Sequence, residues 1–252
     1  MSGKQIFGFF TPILSARAFV FLVCVLSASL LEAEPVGLAW PQPNGPGAPI
    51  YLTYSYSNLL DGTFFLMSPA DLRAGTEEAL RLWASFAPLN FIEVPDAGPA
   101  VSDLAYSSAP SDPRIRIGQH QSADIAHAFY PGDDGLAGDV HVASGVPWTL
   151  GENNWNFLEA ITHELGHALG LAHELDEPAI MNPSYPFHRF AGLGTGFLFP
   201  SDIRAIQSIY GAGTGSVQPL DPTPEPSTCL LVSAGVLALG FSARRGKRAA
   251  TI

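Results

Sequence analysis

The sequence predicts an α+β domain: one mixed β-sheet with helices packed on it. Strand-like runs crowd the first half of the chain and helix-like runs the second, with one helix between the first two strands. No internal repeat is visible. At 252 residues, 47% of them hydrophobic, the chain can bury a core of one domain and is neither fibrous nor disordered in composition.

The elements follow in order. Lys4 and Arg17 precede an apolar run from Ala18 to Leu31, and small residues up to Ala33 follow. Residues 1–33 therefore read as a secretory signal peptide, because the run falls short of the ~20 apolar residues a membrane span needs. Residues 34–48 form a short N-terminal segment. Ile50–Tyr56 alternates and is rich in β-formers, so it reads as a strand. Ser68-Pro69-Ala70-Asp71 opens a helix whose Leu72, Leu80 and Trp83 share one face. Strands are expected at Leu89–Val94 and Arg114–Gly118, and short ones at Ile125–Tyr130 and Asp139–Ala143. Asn156–Leu169 reads as a helix. Ser201 is expected to cap a last helix with Ile203, Ile206 and Ile209 inward, ended by Gly211. The domain is thus bounded at 49–212, and the Gly, Pro, Ser and Thr of 213–223 read as a linker.

Charge and cysteine narrow the function. Between Glu34 and Asp221 stand 21 acids against six arginines and no lysine, a formal −15. Such a surface repels phosphate backbones, so nucleic acid is excluded as a partner. Both cysteines, Cys24 and Cys229, lie in the terminal apolar runs. The body therefore has no disulfide framework, no thiolate catalyst and no cysteine to cover a metal.

The chemistry is concentrated in His163-Glu164-Leu165-Gly166-His167-Ala168-Leu169-Gly170-Leu171-Ala172-His173. Two histidines four apart project from one helix face and can reach one ion at the ~2.0–2.1 Å of a Zn–N bond. On a straight helix His173 would lie ~9 Å beyond His167, so the chain must turn back, which Gly170 permits. Three neutral ligands leave a fourth position open, as in a catalytic zinc site, and Glu164 stands beside the first ligand as the general base. From this chain's own frequencies, the bare two-His pattern arises by chance in about 1% of such chains, and the full three-His pattern in about 2 in 100,000.

This segment resembles the metzincin metallopeptidases. Ala179-Ile180-Met181-Asn182-Pro183 matches their Met-containing turn, with Met181 as its methionine. Within that clan the likeness is to the matrixins, the matrix-metalloproteinase family. Arg116-Ile117-Gly118, Ala126 to Gly132 and Gly138-Asp139-Val140-His141 look like matrixin strand motifs, and Ser201 to Gly211 like their C-terminal helix. The resemblance runs from about Pro49 to Gly211. It implies a twisted mixed sheet, three helices, a zinc cleft, and peptide hydrolysis with Glu164 as base. It also implies a peptide lying along the strand around Ala128, with Pro183 and Tyr185 walling a pocket for a bulky apolar residue after the cut. Glu174, where matrixins usually show Ser or Thr, is an astacin habit, but Pro183 stands where astacins place Tyr.

The resemblance further implies two zinc ions and possible calcium. His120, His127 and His141 fall on the positions of a structural zinc, with Asp124 the nearest acid for the fourth ligand. Asp139 matches a calcium position, near Asp133 and Asp134. His188 reads as a surface residue.

Pro224-Glu225-Pro226, an apolar run from Cys229 to Phe241, then Arg244, Arg245, Lys247 and Arg248 resemble the PEP-CTERM sorting signal of Gram-negative bacteria, here over 224–248. That implies an exosortase-type partner, transient membrane contact, and a product released or attached at the cell surface or extracellular matrix. The expectation is thus a secreted, monomeric zinc endopeptidase acting on peptide or protein. The alternatives are an astacin-like peptidase, a surface-attached binding protein on the same fold, or a zinc hydrolase of another substrate.

Overall fold

The computed structural model describes residues 38–220, apart from 65, 97, 102–112, 122–123, 152–154 and 184–188. The signal-peptide and sorting-signal readings, both cysteines, Tyr185 and His188 lie outside the described residues.

A six-stranded mixed sheet runs in the order β4-β5-β3-β1-β2-β6. Its strands are β1 (Ile50–Tyr56), β2 (Leu89–Glu93), β3 (Ile115–His120), β4 (Ala126–Ala128), β5 (Val140–Ala143) and β6 (Ser216–Gln218). All neighbours are parallel except β4, which lies antiparallel to β5, with His127 opposite His141. Three helices complete the domain: α1 (Pro69–Ala84), α2 (Phe157–Ala168) and α3 (Pro200–Tyr210). The expected α+β class is therefore observed.

Local chemistry accounts for the boundaries. The Ser68 hydroxyl accepts from the Asp71 amide and Pro69 opens α1, as the spacing predicted. Leu72, Leu80 and Trp83 are fully buried on one face. Asn156 is the N-cap of α2 rather than its first turn, its side chain accepting from the Glu159 amide. Ser201 does not cap α3. Phe199 holds the cap position, its amide donating to the Asp202 carboxylate, while the Ser201 hydroxyl donates to the Pro178 carbonyl. Ile206 is buried, whereas Ile203 and Ile209 are half-buried against the core.

Two expected segment readings change. The strand expected over 125–130 is only three residues long. Within the stretch read as linker, Ser216–Gln218 pairs with β2 and widens the sheet. Its composition is that of a linker; pairing with a neighbour already in place gives it structure.

The core lies between the sheet and α1 and α2, with Trp83, Phe91, Phe157 and Leu165 fully buried in it. Trp40, from the N-terminal segment, joins that core. Among the described residues no helix is long and apolar enough to cross a membrane.

Candidate active site

Helix α2 is buried along its whole length, and its His163 and His167 rings stand one turn apart, centroids 4.8 Å from each other. The helix ends at Leu169, and Gly170 follows at φ +97°, a conformation L side chains rarely adopt. A Cβ there would also lie 2.2 Å from the Leu38 carbonyl oxygen. This turn brings His173 back: its Nε2 stands 3.3 Å from that of His163 and 3.1 Å from that of His167. Two nitrogens bound tetrahedrally at ~2.0–2.1 Å from one ion stand ~3.3 Å apart, so the triad fits zinc.

The rings are aimed by carbonyls. His163 Nδ1 lies 2.8 Å from the Ile180 carbonyl oxygen and His167 Nδ1 2.7 Å from that of Leu171. A carbonyl only accepts, so each Nδ1 carries the proton and each Nε2 presents a lone pair. Burial keeps both rings neutral, pushing His163 down to about 3 and His167 to about 4, assisted by neighbouring histidines. His173, more exposed, is lowered by burial as well.

Glu164 is 8% exposed and lines the same cleft. Burial, and then the charge of Asp124, push its carboxyl up to about 8. Beneath the triad, Met181 is fully buried against Gly166, where a Cβ would come within 2.3 Å of the methionine sulfur. The turn is held from α3: Asp202 accepts from the amides of Ile180 (2.8 Å) and Met181 (3.1 Å). Glu174, the departure from the matrixin pattern, folds back locally and accepts from the amides of Asp176 and Glu177.

The cleft encloses about 460 Å³ between β4 and α2. Ile125 and Ala126 line one side, Pro183 another, and Trp148, Trp155, Asn156 and Ala160 deepen it. Sequence reasoning missed these last four; Trp148 and Trp155, aromatics in a loop just before the metal helix, were the available signal. It also missed the Glu159–Arg189 pair. Arg189 Nε stands 2.6 Å from the Glu159 carboxylate, and its guanidinium also donates to the Ala179 carbonyl. Ala128 sits on β4, the edge strand, and is not among the residues lining the cleft.

A second triad forms across three neighbouring strands, β3, β5 and β4. His120, His127 and His141 bring one ring nitrogen each within 4.8 Å of one another, with His141 Nδ1 3.2 Å from His120 Nε2. His120 Nδ1 donates to the Gln121 carbonyl, which leaves Nε2 to face its neighbours. Asp124, the expected fourth member, lines the cleft with His163 and Glu164 and is not in the histidine group. Asp139, the calcium candidate, is deep in the fold. It is 1% exposed, and its Oδ2, without a hydrogen bond, faces Arg116 at 3.8 Å and His141 at 4.0 Å. Asp134 is occupied in accepting the amides of Leu136 and Ala137.

Comparison with known protein families finds the matrixin family, matching residues 47–211. Matrix metalloproteinase-20 of Homo sapiens is 34% identical over 171 residues, 66% of this chain and 33% of that protein. The interstitial collagenase of Bos taurus is 36% identical over 176 residues, 69% of this chain and 35% of its own length. The macrophage metalloelastase of Oryctolagus cuniculus is 35% identical over 190 residues, covering 73% and 39%. The chain thus spans about a third of the length of these relatives.

Proposed function

Because this chain belongs to the matrixin family, whose members are zinc metalloendopeptidases, we propose that it is a secreted zinc endopeptidase. The observation that carries the reading is the convergence of His173 Nε2 on those of His163 and His167, at 3.3 and 3.1 Å, beside a buried glutamate. His163, His167 and His173 hold the catalytic zinc through these atoms. When bound, that ion supplies Lewis acidity toward a peptide carbonyl and toward water. Glu164 takes the proton of the attacking water on a carboxylate oxygen and delivers it to the leaving amine. The substrate lies extended along the open edge of β4, past Ala128, pairing as an added strand. Pro183 lines the pocket, which takes a bulky apolar side chain next to the cut; Trp148 and Trp155 make it an apolar enclosure.

His120, His127 and His141 hold a structural zinc. Residues 1–33 direct export, and the tail from Pro224 is removed by an exosortase-type enzyme, leaving a monomeric catalytic domain at the surface of a Gram-negative cell. Mass spectrometry of the mature protein from its native host should find a start near Glu34 and an end near Pro224. An intact C-terminus in the membrane fraction would refute the processing.

Zymography and peptide-library digestion test the activity. Wild type should cut, and Glu164→Ala should keep its zinc yet lose turnover by about 10²–10⁴-fold or more. Retained activity within a few-fold would reject Glu164 as the base.

A further inference from the structure

We infer that Glu159 and Arg189 form a strut that fixes the width of the cleft between α2 and the Met-containing turn, and that this width selects the substrate side chain next to the cut by its size. The two are positioning residues: neither is among the residues lining the cleft, and they act through Ala160 and Pro183, which are. The inference rests on the peptidase reading above and adds to it what limits the substrate.

Asn156 and Ala160 bring α2 to one wall of the cleft, and Pro183, at the end of the Met-containing turn, forms another. Glu159, next to Ala160, is fully buried. Its Oε1 accepts from Arg189 Nε at 2.6 Å and its Oε2 from the Arg189 amide at 3.1 Å. A terminal nitrogen of the same guanidinium donates to the Ala179 carbonyl, in the turn. One planar group thus spans from the metal helix to the turn and is hydrogen-bonded at both ends. The next residue is tied to the helix as well, the Phe190 carbonyl accepting from Asn156 Nδ2 at 2.8 Å. From its other side the turn is held by Asp202, which accepts the Ile180 and Met181 amides.

Stability does not account for the pair. The Arg189 and Glu159 side chains are 9% and 0% exposed, and the cost of desolvating two such ions offsets their attraction, so apolar residues of similar volume would hold this place as well. The neighbours on α2 are of that kind, with Phe157, Leu158 and Ile161 all buried. What apolar contacts lack is direction. A guanidinium meets a carboxylate and a carbonyl at fixed distances and angles, whereas methyl groups slide past one another. A wall held in this way does not yield to a longer side chain. An apolar pocket of fixed width discriminates by about 10–200-fold in kcat/KM for each methylene.

The test uses the exported, zinc-loaded protein and fluorogenic peptides that differ only in the residue after the cut, which is alanine, leucine, phenylalanine or biphenylalanine. In wild type the best of the four should exceed biphenylalanine by about tenfold or more in kcat/KM. The double variant Glu159→Leu/Arg189→Met replaces the pair by apolar side chains and should melt close to wild type. Its ratio of best peptide to biphenylalanine should nevertheless fall to about threefold or less. Arg189→Met alone leaves Glu159 buried without its cation, so it should lower the melting temperature along with the ratio. A wild-type profile that is flat across the four sizes would overturn the strut and leave the peptidase standing. So would a double variant that keeps the wild-type ratio, even if all four peptides are cut more slowly, since that is the mark of a merely structural pair. Failure of wild type to cut any peptide would overturn the peptidase reading and this inference together.

Discussion

Arg116 is 1% exposed inside β3, and its surroundings are arranged around that charge. Its Nε and one terminal nitrogen each donate to Asp96 at 2.9 Å, and the Pro99 carbonyl accepts at 2.7 Å. Burial works against ionisation of Asp96, but the hydrogen bonds from Arg116 and Ser55 outweigh it and hold the carboxyl below its ordinary range. A carboxyl depressed in the folded state contributes stability above its unfolded pKa of ~3.9, and that contribution disappears as pH falls through the folded value. Arg116→Met should therefore cost about 3–5 kcal/mol at pH 7, since it strands Asp96 and Asp139 without their cation. The deficit should narrow below about pH 4, as Asp96 takes up its proton. Urea denaturation at the two pH values measures both, and a cost under ~1 kcal/mol at pH 7 would rule out the pairing as a determinant of stability.

At the scale of the element, α2 and the turn after it form one device. The Ala168 carbonyl at its end accepts from the Trp40 indole at 2.9 Å, and that of Leu169 from the Tyr210 hydroxyl at 2.9 Å. Gly170 can then reverse the chain, with the Leu171 amide returning to the Gly166 carbonyl at 3.0 Å. In Gly170→Ala the side chain meets the Leu38 carbonyl in a left-handed backbone, so the turn opens and His173 leaves its partners. Elemental analysis should find two zinc per chain in wild type and about one in Gly170→Ala after brief chelation, with the second triad still loaded. His127→Ala should show the converse, keeping catalytic zinc while melting at a lower temperature. Equal zinc content in all three proteins would contradict the assignment of two separate triads.

Over the whole molecule, the boundaries read from composition are narrower than the folded body. Trp40, 2% exposed, is bound to α2 through its indole and to Tyr210 through its amide. Strand β6 adds an edge to β2, and the Gly215 amide donates to the Ala84 carbonyl at the end of α1. A fragment of 49–212 should therefore be less stable than 34–221. Loss of one buried tryptophan alone costs about 3–5 kcal/mol. Differential scanning calorimetry of the two zinc-loaded fragments checks this, and equal melting temperatures would show that the flanks contribute nothing.

What the sequence determined by itself was whatever depends on near neighbours along the chain. Ser68-Pro69 set the start of α1, alternation set β1 to its ends, and two histidines four apart needed only a helix to share a face. The glycine-turn-histidine spacing specified the catalytic triad for the same reason, since every member lies within eleven residues of chain. Tertiary structure decided what depends on distant partners. Asp124 is close in sequence to His120 and His127 yet also lines the cleft with His163 and Glu164 of α2. Ser216–Gln218 became a strand only because β2 offered a free edge, and Trp40 became core only because the end of α2 offered it an acceptor. Asp139 carried a charge whose partner the sequence did not name, and the fold placed the Arg116 guanidinium 3.8 Å from it. Local pattern fixes which groups are available; the packing of remote segments fixes which of them meet, because burial and hydrogen bonding act through space.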